Sequence, residues 1–126
     1  MRIADTSVLY GAFVIEDAHH VKARAALGDE EPLVIPSEIF AETIALLQRR
    51  LGFEHAREAG SGLRDLPHVR IEGSSNAIVR SAWQEFEEAS GALSLPDAFV
   101  VAWCRTEGAR PLSFDKRLFK RAGGSR

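Results

Sequence analysis

At 126 residues, with 45% hydrophobic and 27% charged side chains, the chain has the make-up of one globular domain large enough to bury a core without staples. A net charge of −2 argues against a broad basic surface for nucleic acid; no run approaches the ~20 apolar residues of a membrane span, and no secretory leader pattern opens the chain. The lone Cys104 excludes an intrachain disulfide and agrees with a reducing cytoplasm. The charge is nonetheless uneven. From Asp115 to the end, Lys116, Arg117, Lys120, Arg121 and Arg126 face a single acid, a local +4 that leaves −6 for the rest. Such a segment beside acids suits a nuclease, one part meeting phosphates while the other holds cations. On charge alone, a solvated helix end is the simpler reading.

The first strand is short: Met1-Arg2-Ile3-Ala4 ends in Asp5-Thr6-Ser7, and a helical pattern through Val8, Leu9, Ala12 and Phe13 follows at once. Asp17–Leu27 reads as a second helix with Ala18, Val21, Ala25 and Ala26 on its apolar face and Gly28 as its stop. Pro32-Leu33-Val34-Ile35 is a buried strand. A strong helix over 38–51 follows, with Ser37 as N-cap, Gly52 closing it, and Ile39, Phe40, Ile44, Leu47 and Leu51 as its stripe. Residues 53–66 predict a further helix ended by Pro67, then a weak strand over 68–71. Residues 75–90 are amphipathic through Ile78, Val79, Ala82, Trp83, Phe86 and Ala89, with Gly91 as C-cap. The run Ala98–Cys104, inside a helix over 95–106, is apolar all round and therefore buried. Arg110–Ser113 is a last strand, and Asp115 opens a basic helix. Short strands alternating with helices imply parallel pairing, hence a single three-layer α/β/α sandwich with a short, mostly parallel central sheet.

Four acids stand out, each with a plain structural alternative. Asp5 could cap the helix it precedes, and Asp115 likewise. Glu42 could be an exposed helical acid, although Glu38 one turn earlier shares its edge of the helix. Ser94-Leu95-Pro96-Asp97 is an S-x-x-D capping box with Pro near the helix start. Together they mean more, because strand ends and the helix starts after them face one end of a parallel sheet, where ligands bind. Converging carboxylates repel one another unless cations hold them ionised, and an all-oxygen donor set favours Mg²⁺ or Mn²⁺ over zinc. The chemistry that follows is metal-assisted phosphodiester hydrolysis.

The segments Ile3–Leu9, Ser37–Thr43, Leu93–Ala98 and Leu112–Leu118 together resemble the PIN-domain ribonucleases, and within them the VapC-type toxins of prokaryotic toxin–antitoxin pairs. The resemblance implies metal binding by Asp5, Glu42, Asp97 and Asp115, with supporting hydroxyls at Thr6 or Ser7 and at Ser113, where many members carry Thr. It further implies Mg²⁺- or Mn²⁺-dependent endonucleolytic cleavage of RNA leaving a 5′-phosphate and a 3′-hydroxyl. Inhibition of translation or growth, homodimers, and a cognate antitoxin whose C-terminal segment blocks the site belong to the same implication. Many relatives continue past the position of Gly123–Arg126 into another strand.

Other residues carry less. His19, His20, His55 and His68 show no metal-ligand spacing, and the adjacent pair His19 and His20 reads as solvated; Cys104 reads as core. Trp83 and Trp103 fall on apolar faces and are assigned to the core rather than to base stacking. Lys116, Arg117, Lys120 and Arg121 are the candidates for phosphate contact, because Asp115 ties their helix to the acids. Two rival functions remain: an Asp-nucleophile phosphatase, which usually wants a second Asp where Ser7 stands, and an inactive scaffold that binds RNA or protein.

Overall fold

The computed structural model describes residues 1–123; Arg126 of the basic tail lies outside them. Four strands, β1 (Arg2–Ala4), β2 (Leu33–Pro36), β3 (Val69–Glu72) and β4 (Arg110–Leu112), form one parallel sheet in the order β3-β2-β1-β4. Among the described residues no strand follows β4.

Helices make the crossovers that parallel pairing requires. α1 (Thr6–Phe13) and α2 (His20–Gly28) join β1 to β2; α3 (Ser37–Leu51) and α4 (Phe53–Asp65) join β2 to β3. α5 (Asn76–Ala89) and α6 (Leu95–Glu107) then carry the chain back across the sheet to β4, and α7 (Lys116–Arg121) follows. Because connections step one way from β1 to β3 and then reverse, right-handed crossovers put α1–α4 on one face and α5 and α6 on the other. The packing of α3 on α4, α1 on α2 and α5 on α6 agrees.

The core is what the sequence pattern requires of the sheet: Ile3, Leu33, Val34 and Ile35 are buried, as expected where both faces are covered. α6 inserts its whole run Ala98–Cys104 beside them. Fully burying side chains of this size stabilises the fold by about 1.5–3 kcal/mol each.

Several local expectations are corrected. Asp17 forms a turn rather than a helix start, its Oδ1 accepting from the His19 N–H at 2.9 Å, so α2 begins at His20. Its buried side is then Ala23 and Leu27, while Val21 is 80% exposed and Ala18 and Ala25 face solvent. Ser37 is the first residue of α3 and makes no cap hydrogen bond; Pro36 precedes the helix instead. Leu51 is partly exposed, and Thr43 takes a place in the buried stripe, its hydroxyl donating to the Ile39 carbonyl. α5 is capped by Ser90, in the left-handed region at φ 48°, one residue before Gly91, whose φ is 95°. β3 starts and ends one residue later than expected, and β4 stops at Leu112. Trp83 is not core. It is 52% exposed, with Phe86 as its ring neighbour, and Val79 is also exposed. Trp103 is buried and its indole N–H donates to the Ser74 hydroxyl at 2.9 Å.

Candidate functional site

The sheet reverses direction of connection at β1, which lies between β2 and β4, and crevices at such switch points are where open α/β sheets bind ligands. Asp5 follows β1 and Ser113 follows β4, so both stand at the carboxyl end of that crevice. The Asp5 N–H donates to the Leu112 carbonyl at 3.0 Å, which carries the pairing of the two strands up to the tip.

Asp5 is 3% exposed and caps α1, its Oδ1 accepting from the Thr6 N–H at 2.8 Å. Its Oδ2 accepts from two hydroxyls, Ser7 and Ser113, each at 2.8 Å. Ser113, itself buried, accepts from the Asp115 N–H at 2.9 Å and so couples the two acids through one oxygen. Asp115 is exposed; its Oδ1 caps α7 by accepting from the N–H groups of Arg117 and Leu118. The capping alternatives for Asp5 and Asp115 are therefore real, and they coexist with convergence.

Asp97 completes the capping box at the start of α6, where the Ser94 hydroxyl accepts from the Asp97 N–H at 3.2 Å. Burial pushes the Asp97 carboxyl up to about 6, helped by the charges of Asp5 and Asp115 and opposed by hydrogen bonds from Ser94. Asp5 is also raised, chiefly by burial, against the pull of Ser7, Ser113 and Thr6; Asp115 adds to the rise. Glu42 comes in by a different route, its Oε1 accepting a short hydrogen bond from the Thr6 hydroxyl. Glu38 is drawn elsewhere: its Oε1 accepts from Ser74 at 2.7 Å, the residue that also takes the Trp103 indole N–H.

Asp5 thus feels the charge of Asp115, Asp97 feels the charges of both, Glu42 is joined to Asp5 through Thr6, and among the described residues none of the four forms an ion pair. Among the described residues no three His, Cys, Asp or Glu side chains are already gathered at metal-ligating distance. The donor chemistry is what decides the fit. Hard oxygen donors whose charges lack a cationic partner suit a divalent cation that keeps waters and takes phosphate oxygens.

The histidines take no part in this cluster; of the adjacent pair, His19 is exposed as expected and His20 is half-buried. His20, His55 and His68 each bond a backbone carbonyl, of Gly11, Phe13 and Leu27. His19 stacks on Phe114 with ring centroids 4.5 Å apart.

The sequence matches the PIN domain family over residues 2–124. The chain belongs to the PIN-domain family. Among solved structures, this PIN domain is similar to VapC20 of Mycobacterium tuberculosis, described as a Sarcin-Ricin loop cleaving toxin. The two share 26% identity with a TM-score of 0.84, covering 99% of this chain and 97% of that one. It shares its fold with FitAcB of Neisseria gonorrhoeae at 17% identity and TM-score 0.71, covering 99% of this chain and 95% of that one. VapBC2 of Rickettsia felis, solved with a DNA fragment from its promoter, gives 15% and 0.70, covering 95% and 91%. No curated protein matches the chain. Among the described residues, no helix of this PIN domain is long and apolar enough to cross a membrane.

Glu85 and Arg105 escaped the sequence reading. Glu85 is buried, and Arg105 and Arg121 both pair with it. The signal was there: Glu85 falls at an apolar-face position of α5, in register with Ile78, Ala82 and Ala89.

Proposed function

We propose that this PIN domain, as a single nuclease domain over residues 1–126, is a divalent-cation-dependent endoribonuclease. It acts in the cytoplasm as the toxin of a toxin–antitoxin pair, limiting translation or growth, and works as a homodimer until a cognate antitoxin covers the site. The observation that carries this reading is the gathering of Asp5 and Asp115 on the Ser113 hydroxyl, with Asp97 close enough to feel both charges and none of the three paired with a cation among the described residues. The likeness to VapC20, FitAcB and VapBC2 supports the toxin part.

In this reading Asp5, Glu42, Asp97 and Asp115 hold Mg²⁺ or Mn²⁺. When bound, the cation supplies a Lewis acid for the phosphate and favours attack by water. The chain's own residues set the geometry. Ser7 and Ser113 fix Asp5 Oδ2, Thr6 fixes Glu42 Oε1, and the α7 amides hold Asp115 Oδ1. An aspartyl-phosphate mechanism would need an acid near Asp5 where Ser7 already occupies its Oδ2.

The test is incubation of purified, antitoxin-free protein with total cellular RNA, with Mg²⁺, Mn²⁺ or EDTA, beside Asp5→Asn. We expect discrete cuts leaving 5′-phosphates, dependent on metal and lost in the variant by at least about 100-fold. Metal-independent cuts, or equal cutting by Asp5→Asn, would reject the assignment. No cleavage in protein that binds metal would favour the inactive scaffold.

A further inference from the structure

A cavity of about 510 Å³ opens between α6 and α7, lined by Ala92, Leu93, Arg105, Arg117, Lys120 and Arg121. Four cations face one space there, on a chain whose net charge is −2. Such crowding needs a counter-charge, and the structure supplies one. The buried Glu85 carboxylate accepts from Arg105 Nη1 through one oxygen and from Arg121 Nε at 3.2 Å through the other. Arg105 Nη2 also donates to the Arg121 carbonyl at 3.0 Å, tying the two helices together. One carboxylate against four cations leaves a positive cavity in which two guanidiniums are held rather than free, as repeated contact with oxyanions favours.

Position selects the anion. α6 carries Asp97 in its first turn and Arg105 eight residues on, about 12 Å along the helix. α7 carries Asp115 at its cap and Arg117, Lys120 and Arg121 within its own short length. The same two helices therefore present the acids and the cations in sequence, an order matched by a polymer with an anionic group at every repeat. We propose that this cavity is a subsite for the phosphodiester backbone of RNA beyond the scissile bond, with Glu85 as a positioning residue for Arg105 and Arg121; it rests on the ribonuclease reading above. Of the cations expected from sequence to meet phosphate, Arg117, Lys120 and Arg121 line the cavity, Arg105 joins them, and Lys116 does not.

The experiment is equilibrium binding of a labelled mixed-sequence single-stranded RNA by the full chain in EDTA, across a salt series. Arg117→Ala/Lys120→Ala is compared with Arg49→Ala/Arg50→Ala, an exposed pair of equal charge at the end of α3. We expect the cavity pair to lose roughly 20-fold in affinity at about 0.1 M salt and to flatten the log–log salt slope by about 1.4. The α3 pair should change neither. Equal losses from both pairs, or none from the cavity pair, would overturn the subsite. So would a labelled polyglutamate peptide that binds more tightly than the RNA and loses affinity in the same variant, since the cavity would then suit an acidic protein. Glu85→Gln removes a negative charge, so an acid with no positioning role would let RNA bind more tightly on its removal; the positioning role requires weaker binding. Because EDTA removes cleavage from the readout, cavity-dependent binding in a protein that never cuts RNA would sink the nuclease reading and keep the subsite. A protein that cuts without cavity-dependent binding would do the reverse.

Discussion

Asp97 is pulled two ways over one proton. Burial and the charges of Asp5 and Asp115 favour its neutral form, while Ser94 favours the carboxylate, and the first group prevails at about 6. A folded-state value above the unfolded one near 3.8 means that the folded protein binds this proton more tightly. Its destabilising effect is therefore full above about 6, shrinks as pH falls through that value, and is gone below about 3.8. Asp5, also raised, works in the same direction. Glu31 works in the other: the Arg110 guanidinium holds its carboxyl low, so its stabilisation is lost only as pH falls below the ordinary glutamate range. We accordingly expect the metal-free protein to melt at a higher temperature near pH 5 than near pH 7. Asp97→Asn should raise the melting temperature at neutral pH and flatten this dependence, as thermal denaturation in chelator across that range would record. An unchanged melting temperature and an unchanged pH slope in the variant would mean that burial and the neighbouring charges do not raise the Asp97 carboxyl.

At the scale of elements, α5 ends in a strained residue. Ser90 sits at φ 48°, a region that costs a side-chain-bearing residue about 1 kcal/mol and costs glycine almost nothing. Ser90→Gly should stabilise the protein by about 0.5–1 kcal/mol in chemical denaturation, with no change in the denaturant slope; a destabilised variant would show that the Ser90 hydroxyl, 3.4 Å from the Glu87 carbonyl, outweighs the strain. This cap also marks where sequence patterns stop being informative. Gly91 was visible as a breaker and does take a positive φ of 95°, but that Ser90 before it turns left-handed as well depends on the loop that returns to α6. The strands and α6 were legible because burial on all sides demands unbroken apolar runs, as in Leu33–Ile35 and Ala98–Cys104. α2 was not, since alanines appear on all its sides and only tertiary contact chooses Ala23 over Ala25. Trp83 misled for a related reason: it lies at helical spacing from Val79 and Phe86 yet at the margin of the face α5 buries. Of the acids, the positions after β1 and β4 and in the Ser94 box were legible, because strand ends and caps are local signals. The Ser113 hydroxyl on Asp5 joins residues 108 apart, and the Glu85 pairs with Arg105 and Arg121 join elements 20 and 36 apart; no local pattern encodes such pairings.

Over the whole molecule, charge is sorted along one pair of helices. Acids gather at the tip of the β1–β4 crevice, cations at the α6–α7 cavity, and Glu85 keeps the second group in place. A cation held by the acids would complete this arrangement by letting an anionic polymer approach the end that is otherwise negative. The most direct measurement is calorimetric titration of Mn²⁺ into the metal-free protein, wild type beside Asp97→Asn and Glu38→Gln, near pH 7 and near pH 6. The account predicts binding by wild type and Glu38→Gln, weaker near pH 6 because protons compete for Asp97, and at least roughly tenfold weaker binding by Asp97→Asn. Equal affinity in wild type and Asp97→Asn, or affinity lost in Glu38→Gln instead, would contradict it.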